Sequence, residues 1–204
     1  ALVAEVEQTY GANAEQVSAC KDYGRIVSTQ AASRHKALLE EAEKAGATVL
    51  CGGAKQCDVA EKFVPPAILI EPAPTLRLCN EEIFGPILAL YTSRTVDEAI
   101  SRVNAHAGTP LALYVFTRSA QTYEKILDRV PSGTSVRNDL MLQFAGSYPF
   151  GGCGTSGMGN AHGVSSFKAF THERTVVHKP ALRAFELGDL RYAPYGKYGG
   201  HSGK

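Results

Sequence analysis

Short apolar stretches alternate along the chain with segments of helical periodicity, and this alternation most strongly limits the folds available to it. Apolar runs of strand length occur at Ala67 to Ile70, Ile87 to Tyr91 and Leu111 to Phe116. Val96 to Ala105 and Ala120 to Arg129 instead carry apolar residues at the spacing of an amphipathic helix. Alternating strands and helices are typical of α/β domains. The sequence therefore predicts an α/β fold with a mainly parallel sheet flanked by helices.

Further elements are predicted towards both ends. Ala1 to Tyr10 reads as the last turns of a helix, and a second helix follows that Ser28 or Thr29 caps and Gly46 ends. The other predicted elements are strands at Ala47 to Leu50, Thr134 to Val136 and Arg174 to His178, and a short helix at Ser165 to His172. We expect residues 1–180 to belong to one domain. Residues 181–204 should form a Gly/Tyr-rich tail that is flexible or wraps a neighbouring subunit.

Composition excludes several classes of function. Lys and Arg number 21 against 20 Asp and Glu, and a net charge of +1 gives no electrostatic basis for binding nucleic acid. The longest apolar stretches are too short to span a membrane. Five cysteines without a C-x-x-C pair argue against a metal site, and an odd number of free thiols fits a reducing, cytoplasmic location.

A glycine-rich segment between Asn138 and Gly163 interrupts the alternation, with seven of the 20 glycines. It contains a G-x-G-x-x-G match that begins at Gly152, the pattern of a dinucleotide phosphate turn. That turn needs a strand before it and a helix opening at its last glycine. Here Pro149 lies just upstream, and more glycines follow where the helix should run. We interpret the segment as a buried loop in which glycines allow close backbone approach.

Two adjacent acids precede an aromatic residue and a Gly-Pro break in the segment Asn80 to Pro86, directly before the strand at Ile87. One interpretation is a capped turn with solvated carboxylates. The other is a binding site in which one acid accepts hydrogen bonds from hydroxyl groups and the aromatic ring supports a flat ligand. The residues alone do not decide between them.

Six ordered motifs resemble the aldehyde dehydrogenase family. Residues 81–86, EEIFGP, are identical to the family's glutamate-containing signature, and residues 149–172 resemble its C-terminal block in two parts, PFGGxGxSGxG and HG followed by SFxxFTH. Three further motifs resemble the class 3, fatty-aldehyde-type branch: DYGRI at 22–26, PLALYVF at 110–116 and RYxPY at 191–195. The resemblance covers nearly the whole chain.

The resemblance implies a role for five residues. Glu82 would hydrogen-bond the nicotinamide-ribose hydroxyls of NAD or NADP, and Phe84 would pack beside the nicotinamide. Asn138 and Phe150 would border the aldehyde pocket, with His162 near its mouth. Two alternatives stay open: Phe150 as an ordinary core residue, and His162 as a hydrogen-bonding group at the start of a helix.

The resemblance also implies parts that this sequence lacks. The family's nucleophile is a cysteine in a Gly-Gln-x-Cys-type block, and no such block occurs before Asp22. The surroundings of Cys20 do not match it, and Cys153 stands at a variable position where packing is its expected role. The general-base glutamate and the Rossmann domain are missing as well. We therefore expect the nucleophile upstream of Ala1 and this chain alone to be inactive.

The resulting hypothesis is the C-terminal part of a catalytic domain that oxidises an aldehyde to a carboxylic acid through a cysteine thiohemiacetal. Its expected partners are the remainder of the enzyme and a second subunit in a homodimer, with the segment Arg174 to His178 and the tail helping to bind that subunit. The alternative is a stand-alone, non-catalytic domain that binds a ligand or a partner protein. The absence of an initiating Met favours the first interpretation.

Overall fold

The computed structural model describes residues 1–106 and 108–178. The helices of this part are α1 (Leu2–Tyr10), α2 (Ala14–Ala19), α3 (Thr29–Lys44), α4 (Arg77–Asn80), α5 (Val96–Asn104), α6 (Ala120–Arg129) and α7 (Gly163–Ala169). The strands are β1 (Thr48–Cys51), β2 (Ala67–Ile70), β3 (Ile87–Leu90), β4 (Ala112–Val115) and β5 (Thr134–Arg137). Short 3-10 turns lie at Ala54–Gln56, Leu142–Phe144 and Gly154–Ser156.

The strands form two small sheets. The first has the order β1-β2-β3, in which β1 is antiparallel to β2 while β2 and β3 run parallel, with Ala67 opposite Ile87. The second sheet pairs β4 with β5 in parallel, from Ala112 opposite Thr134 to Val115 opposite Arg137. The predicted α/β class with mainly parallel strands is confirmed, with the strands divided between two sheets instead of one.

The longest helix, α3, covers the three-stranded sheet. Ser28 caps it by accepting a hydrogen bond from the Ala31 amide at 3.1 Å. Its buried positions recur at helical spacing and supply one side of the core. The core comprises Ala32, Leu38, Leu39 and Ala42 of α3 together with Ala54, Val64, Ala67, Leu69, Leu76, Leu78, Cys79 and Ile87.

Two amphipathic helices, α5 and α6, accompany the two-stranded sheet. Thr95 and Ser119 cap them through hydrogen bonds of 3.1 Å from the amides of Glu98 and Thr122. Asp97 of α5 joins the two helices because its carboxylate accepts hydrogen bonds from Lys125 and Arg129 of α6.

Three local predictions differ from the structure. The strand predicted at Arg174 to His178 is wrong: these residues are exposed and lie outside regular structure, since no neighbouring strand in the described part pairs with them. The last helix ends at Ala169 and not at His172. Helices α2 and α4 were not predicted. The predicted tail, 181–204, lies outside the described residues.

Candidate active site

The two adjacent acids of the segment before β3 have different surroundings. Glu81 caps the C-terminus of α4, and Arg77 donates hydrogen bonds of 2.8 Å and 3.1 Å to its carboxylate. These bonds hold the pKa of Glu81 below its ordinary value. The Glu82 carboxylate is exposed and has no ion pair or hydrogen bond with a described residue. Glu82 is therefore the acid of the pair that is free to bind a ligand.

Two side chains of helix α3 contact the backbone carbonyls of this loop. The Arg34 guanidinium donates a hydrogen bond of 3.0 Å to the Glu82 carbonyl and a second one to the Ile83 carbonyl. The His35 Nε2 lies 2.7 Å from the same Ile83 oxygen. Helix α3 thus binds the carbonyls of the loop, while no residue in the described part of the chain binds the Glu82 carboxylate.

Phe84 projects from the loop without a core role. Its side chain is 83% exposed, and its backbone has a φ of 53°, in the left-handed region that bulky residues avoid. A large exposed ring on a strained backbone is unfavourable for packing and stability alone. The exposed Phe84 ring is therefore suited to contact a group outside the core of this chain.

Glu82 borders a cleft with a volume of about 840 Å³. Apart from residues of the acidic loop (Asn80 to Pro86), its lining includes a wall formed by Thr109 and Leu111, before β4, and by Thr155 and Ser156 of the glycine-rich segment. The two segments of that wall are tied together, because the Thr109 amide donates a 2.7 Å hydrogen bond to the Thr155 hydroxyl. Phe84 lies beside this cleft in sequence but does not line it.

The predicted aldehyde-pocket residues Phe150 and His162 are brought together. Their rings stack with centroids 5.6 Å apart and planes inclined by 16°. The Phe144 ring also packs against Phe150, with the two ring centroids 4.8 Å apart. The His162 side chain makes no capping hydrogen bond to α7; its backbone N–H instead donates to the Ser166 hydroxyl at 2.7 Å.

Asn138 stands apart from that pair, directly after β5. Its Oδ1 accepts a 2.7 Å hydrogen bond from the Thr117 amide, which follows β4. The residue therefore joins the carboxyl ends of two parallel strands, the edge at which open α/β sheets commonly bind ligands. No described hydrogen bond or ring contact joins Asn138 to Phe150 or His162.

Three of the five predicted site residues have a left-handed backbone conformation. Six non-glycine residues of the described part have a positive φ, and three of them are Phe84, Asn138 and His162, at 53°, 58° and 72°. Such conformations concentrate at functional sites because the surrounding structure must over-determine them. The others are Lys62, Glu71 and Met141.

Sequence reasoning missed the residues that support the acidic loop. Arg34 and His35 lie 48 residues before the carbonyls they contact, at Glu82 and Ile83 respectively. One signal was available, since His35 falls on the buried stripe of α3, where an apolar residue is expected. Thr155 carries no comparable signal, because its link to Thr109 depends on how two loops meet.

The five cysteines do not gather around this cleft as nucleophiles. Burial raises the pKa of the Cys57 thiol to about 11 and also raises that of Cys51. Cys79 lines the cleft, but its sulfur lies 2.9 Å from the Tyr91 hydroxyl. Cys153 caps the Gly154–Ser156 turn and Cys20 caps the end of α2. The thiols of Cys51, Cys57 and Cys79 thus have structural environments, and the backbones of Cys20 and Cys153 take part in caps.

The described residues form neither a metal-binding cluster nor a membrane-spanning helix. In residues 1–106 and 108–178, no three His, Cys, Asp or Glu side chains are grouped so that they could hold a metal ion. No helix in the same residues combines the length and the apolar character needed to cross a bilayer.

Comparison with known proteins matches the chain to one family. The Aldehyde dehydrogenase family profile matches residues 1–176. Aldehyde dehydrogenase family 3 member A2 of Rattus norvegicus is 38% identical over 190 residues, which cover 93% of this chain and 37% of the relative. The predicted resemblance to the class 3 branch agrees with this similarity.

Solved structures agree with the sequence comparison. Staphylococcus aureus AldH in a substrate-bound state is 32% identical, with a TM-score of 0.74 over 88% of this chain and 39% of that one. A Mycobacterium tuberculosis aldehyde dehydrogenase in complex with NAD+ is 26% identical, with a TM-score of 0.64 over 75% of this chain and 31% of that one. The chain spans less than two fifths of the length of each of these relatives. From its sequence, its fold and the match over residues 1–176, the chain belongs to the aldehyde dehydrogenase family.

Proposed function

We propose that this chain is the C-terminal part of the catalytic domain of an NAD(P)-dependent aldehyde dehydrogenase, and that it forms the wall of the active site that holds the nicotinamide end of the cofactor. The observation that carries the proposal is the loop before β3. It presents the Glu82 carboxylate, which pairs with no described residue, and the exposed ring of Phe84, from a backbone that α3 holds by two side chains.

The residues present fit the cofactor. A carboxylate without a protein partner can accept hydrogen bonds from two neighbouring ribose hydroxyls, which is why Glu82 suits that role and Glu81, engaged by Arg77, does not. Phe84 offers a flat apolar face to a planar ring. NAD(P)+, when bound, supplies the hydride acceptor. Glu82 and Phe84 contribute orientation, which lowers the barrier without any bond to the reacting atoms.

The nucleophilic thiol and the general-base glutamate belong, in this proposal, to a part of the enzyme that precedes Ala1. Thiol addition to the aldehyde would give a thiohemiacetal, and hydrolysis after oxidation would release the carboxylic acid. Support comes from the environments of the described cysteines, of which Cys57 and Cys51 are poor thiolates because burial raises their pKa values. The 204-residue chain alone is therefore expected to be inactive.

Phe150, His162 and Asn138 are proposed to border the aldehyde pocket. Support comes from the stacking of the Phe150 and His162 rings and from the position of Asn138 at the carboxyl ends of β4 and β5, the edge at which open α/β sheets commonly bind ligands. Val176 and Val177 are exposed beyond α7 and suit contact with a second subunit of a homodimer. The proposed tail contact of residues 181–204 lies outside the described residues.

Thiol mapping tests the proposal directly. The protein encoded by the complete reading frame is treated with an iodoacetamide-type reagent until aldehyde oxidation is lost, with and without protection by an aldehyde substrate. We expect the protected cysteine to lie outside these 204 residues. A matched variant in which all five cysteines of this chain are replaced by alanine or serine should keep its thiol-dependent activity.

Two results would contradict this. One is a substrate-protected, activity-bearing thiol at Cys20 or at any other cysteine of this chain. The other is a natural gene product whose intact mass is close to 21.8 kDa, the mass of this chain, because such a product has no room for a second half. The stand-alone, non-catalytic domain would then be the better interpretation.

A further inference from the structure

His35 is a polar side chain in an apolar position. It is 1% exposed and lies on the stripe of α3 that continues with Leu38 and Leu39. Its Nε2 is 2.7 Å from the Ile83 carbonyl oxygen, and because a carbonyl only accepts, Nε2 carries the proton. Burying an imidazole costs free energy unless its hydrogen bond offsets the lost hydration. This buried side chain is therefore directed at one backbone group of the acidic loop.

The His35 ring also restrains Gly85, the residue that follows Phe84. A Cβ placed on Gly85 would lie 2.5 Å from His35 Nε2 and 2.7 Å from its Cε1, so the imidazole occupies the space next to the Gly85 backbone. The residues before and after Phe84 are thus both set by one ring, Ile83 through a hydrogen bond and Gly85 through close packing. Phe84 itself is held at a φ of 53°.

Arg34 adds a second support from the preceding position of the helix. Its Nη2 donates to the carbonyls of Glu82 and Ile83, and its Nη1 lies 3.6 Å from the Glu81 carboxylate. Arg34 is half-buried, while His35 is fully buried. The two residues leave the Glu82 carboxylate and the Phe84 ring untouched, so they constrain the loop backbone and not its functional groups.

We infer that His35, assisted by Arg34, is a positioning residue that keeps Glu82 and Phe84 in the orientation required to hold a nicotinamide nucleotide. The inference rests on the cofactor-binding role proposed for those two residues. A left-handed aromatic residue persists only where its surroundings over-determine it. Without the His35 hydrogen bond, the loop can relax to an extended φ at Phe84, which would shift the Phe84 ring from its present position and move the Glu82 carboxylate away from the cleft.

Hydrogen exchange in the complete protein tests the positioning role independently of activity. The reporters are the Ile87 and Ala67 amides, which donate to the carbonyls of Gly85 and Pro86 at 2.9 Å and 2.8 Å. In His35→Leu, which keeps bulk but loses the donor, their exchange should be about fivefold to tenfold faster, the effect of one lost hydrogen bond. His35→Gln restores a donor and should bring the exchange back towards the wild-type rate.

The control for general destabilisation is Leu39→Val, which loosens the same helix without touching the loop. At matched loss of global stability, it should accelerate exchange at these amides no more than at the Ile26 amide, which donates to Lys62 in another part of the fold. In the kinetic arm, His35→Leu should lower hydride transfer about tenfold and leave ester hydrolysis by the catalytic thiol within about twofold.

Unchanged exchange at Ile87 and Ala67 in His35→Leu would overturn the inference, as would equal acceleration in Leu39→Val. Faster exchange with normal hydride transfer would also overturn it, because the loop would then be loosened without consequence for the cofactor. Glu82→Gln, measured alongside, distinguishes a failure of the His35 inference from a failure of the proposed function. If Glu82→Gln slows hydride transfer while His35→Leu does not, the proposed function stands and the positioning role of His35 falls.

Discussion

The Arg77 guanidinium donates two hydrogen bonds to the Glu81 carboxylate, from Nε at 2.8 Å and from Nη2 at 3.1 Å. This ion pair ends α4 and lowers the pKa of Glu81. Asp97 is a second carboxylate of this kind, because hydrogen bonds from Lys125 and then Arg129 lower its pKa as well. Both carboxylates are solvent-exposed, so salt screens their interactions.

The pH dependence of stability should follow from these two acids. A carboxylate whose pKa is lower in the folded than in the unfolded state stabilises the fold above its unfolded pKa, about 4, and loses that contribution as the pH falls through its folded value. We therefore expect the free energy of unfolding to decline below about pH 4. The double variant Glu81→Gln/Asp97→Asn should show a shallower decline in urea titrations between neutral and acid pH. Glu124→Gln, an exposed acid of α6 outside these pairs, is the control, and an identical decline in all three proteins would contradict the assignment.

Close backbone approach explains the glycine-rich segment. A Cβ on Gly151 would overlap the Gly159 carbonyl oxygen and lie 2.8 Å from Asn160 Oδ1. We expect Gly151→Ala to lower the free energy of unfolding by about 1 to 3 kcal/mol, the usual cost of overpacking. Gly24→Ala is the matched control, because a Cβ there meets nothing within 4 Å, and its effect should stay within about 0.5 kcal/mol. Equal losses in the two variants, measured by urea unfolding, would refute the steric explanation.

The Phe150 ring should affect catalysis in proportion to the apolar part of the substrate. Phe150→Leu is expected to lower kcat/KM for a long-chain aldehyde about tenfold, since lost apolar contact costs about 1 to 3 kcal/mol, and to change acetaldehyde oxidation much less. Phe170→Leu, at the exposed end of α7, is the control and should change neither. Rates would be compared at saturating NAD+. A loss that is the same for short and long aldehydes would favour the alternative of an ordinary core residue.

The sequence pattern predicts correctly those helices and strands whose ends are set by neighbouring residues. Helix α6 was predicted from residue 120 to residue 129 as observed, because Ser119 supplies a cap and the apolar period is regular. Strand β2 was predicted with the same accuracy between flanking prolines. The glycine-rich segment is a loop with close backbone contacts at Gly151, as predicted, but the prediction that it is buried is wrong, because most of its residues are exposed or half-buried.

Contacts between distant segments could not be predicted in this way. Helix α4 has only four residues and no side-chain cap of its own; the Glu41 carboxylate of α3 instead accepts a 3.2 Å hydrogen bond from the Arg77 amide, 36 residues away. The support of the acidic loop by Arg34 and His35 is of the same kind. In the opposite direction, Val176 and Val177 have strand propensity but no partner strand in the described residues, so the strand predicted there does not form.

Comparison of two reactions of the complete enzyme tests most directly whether Glu82 anchors the nicotinamide ribose. The measurement is the rate of NADH formation from an aldehyde divided by the rate of ester hydrolysis, which needs the thiol but no hydride transfer, in Glu82→Gln and in wild type. Because Glu82 is proposed to orient the cofactor and not the thiol, the ratio should fall by about tenfold or more. Glu124→Gln, at an exposed acid of α6 that does not line the cleft, should leave it unchanged. An unchanged ratio in Glu82→Gln, with both activities intact or both reduced alike, would contradict the assignment of this loop as the cofactor-holding wall.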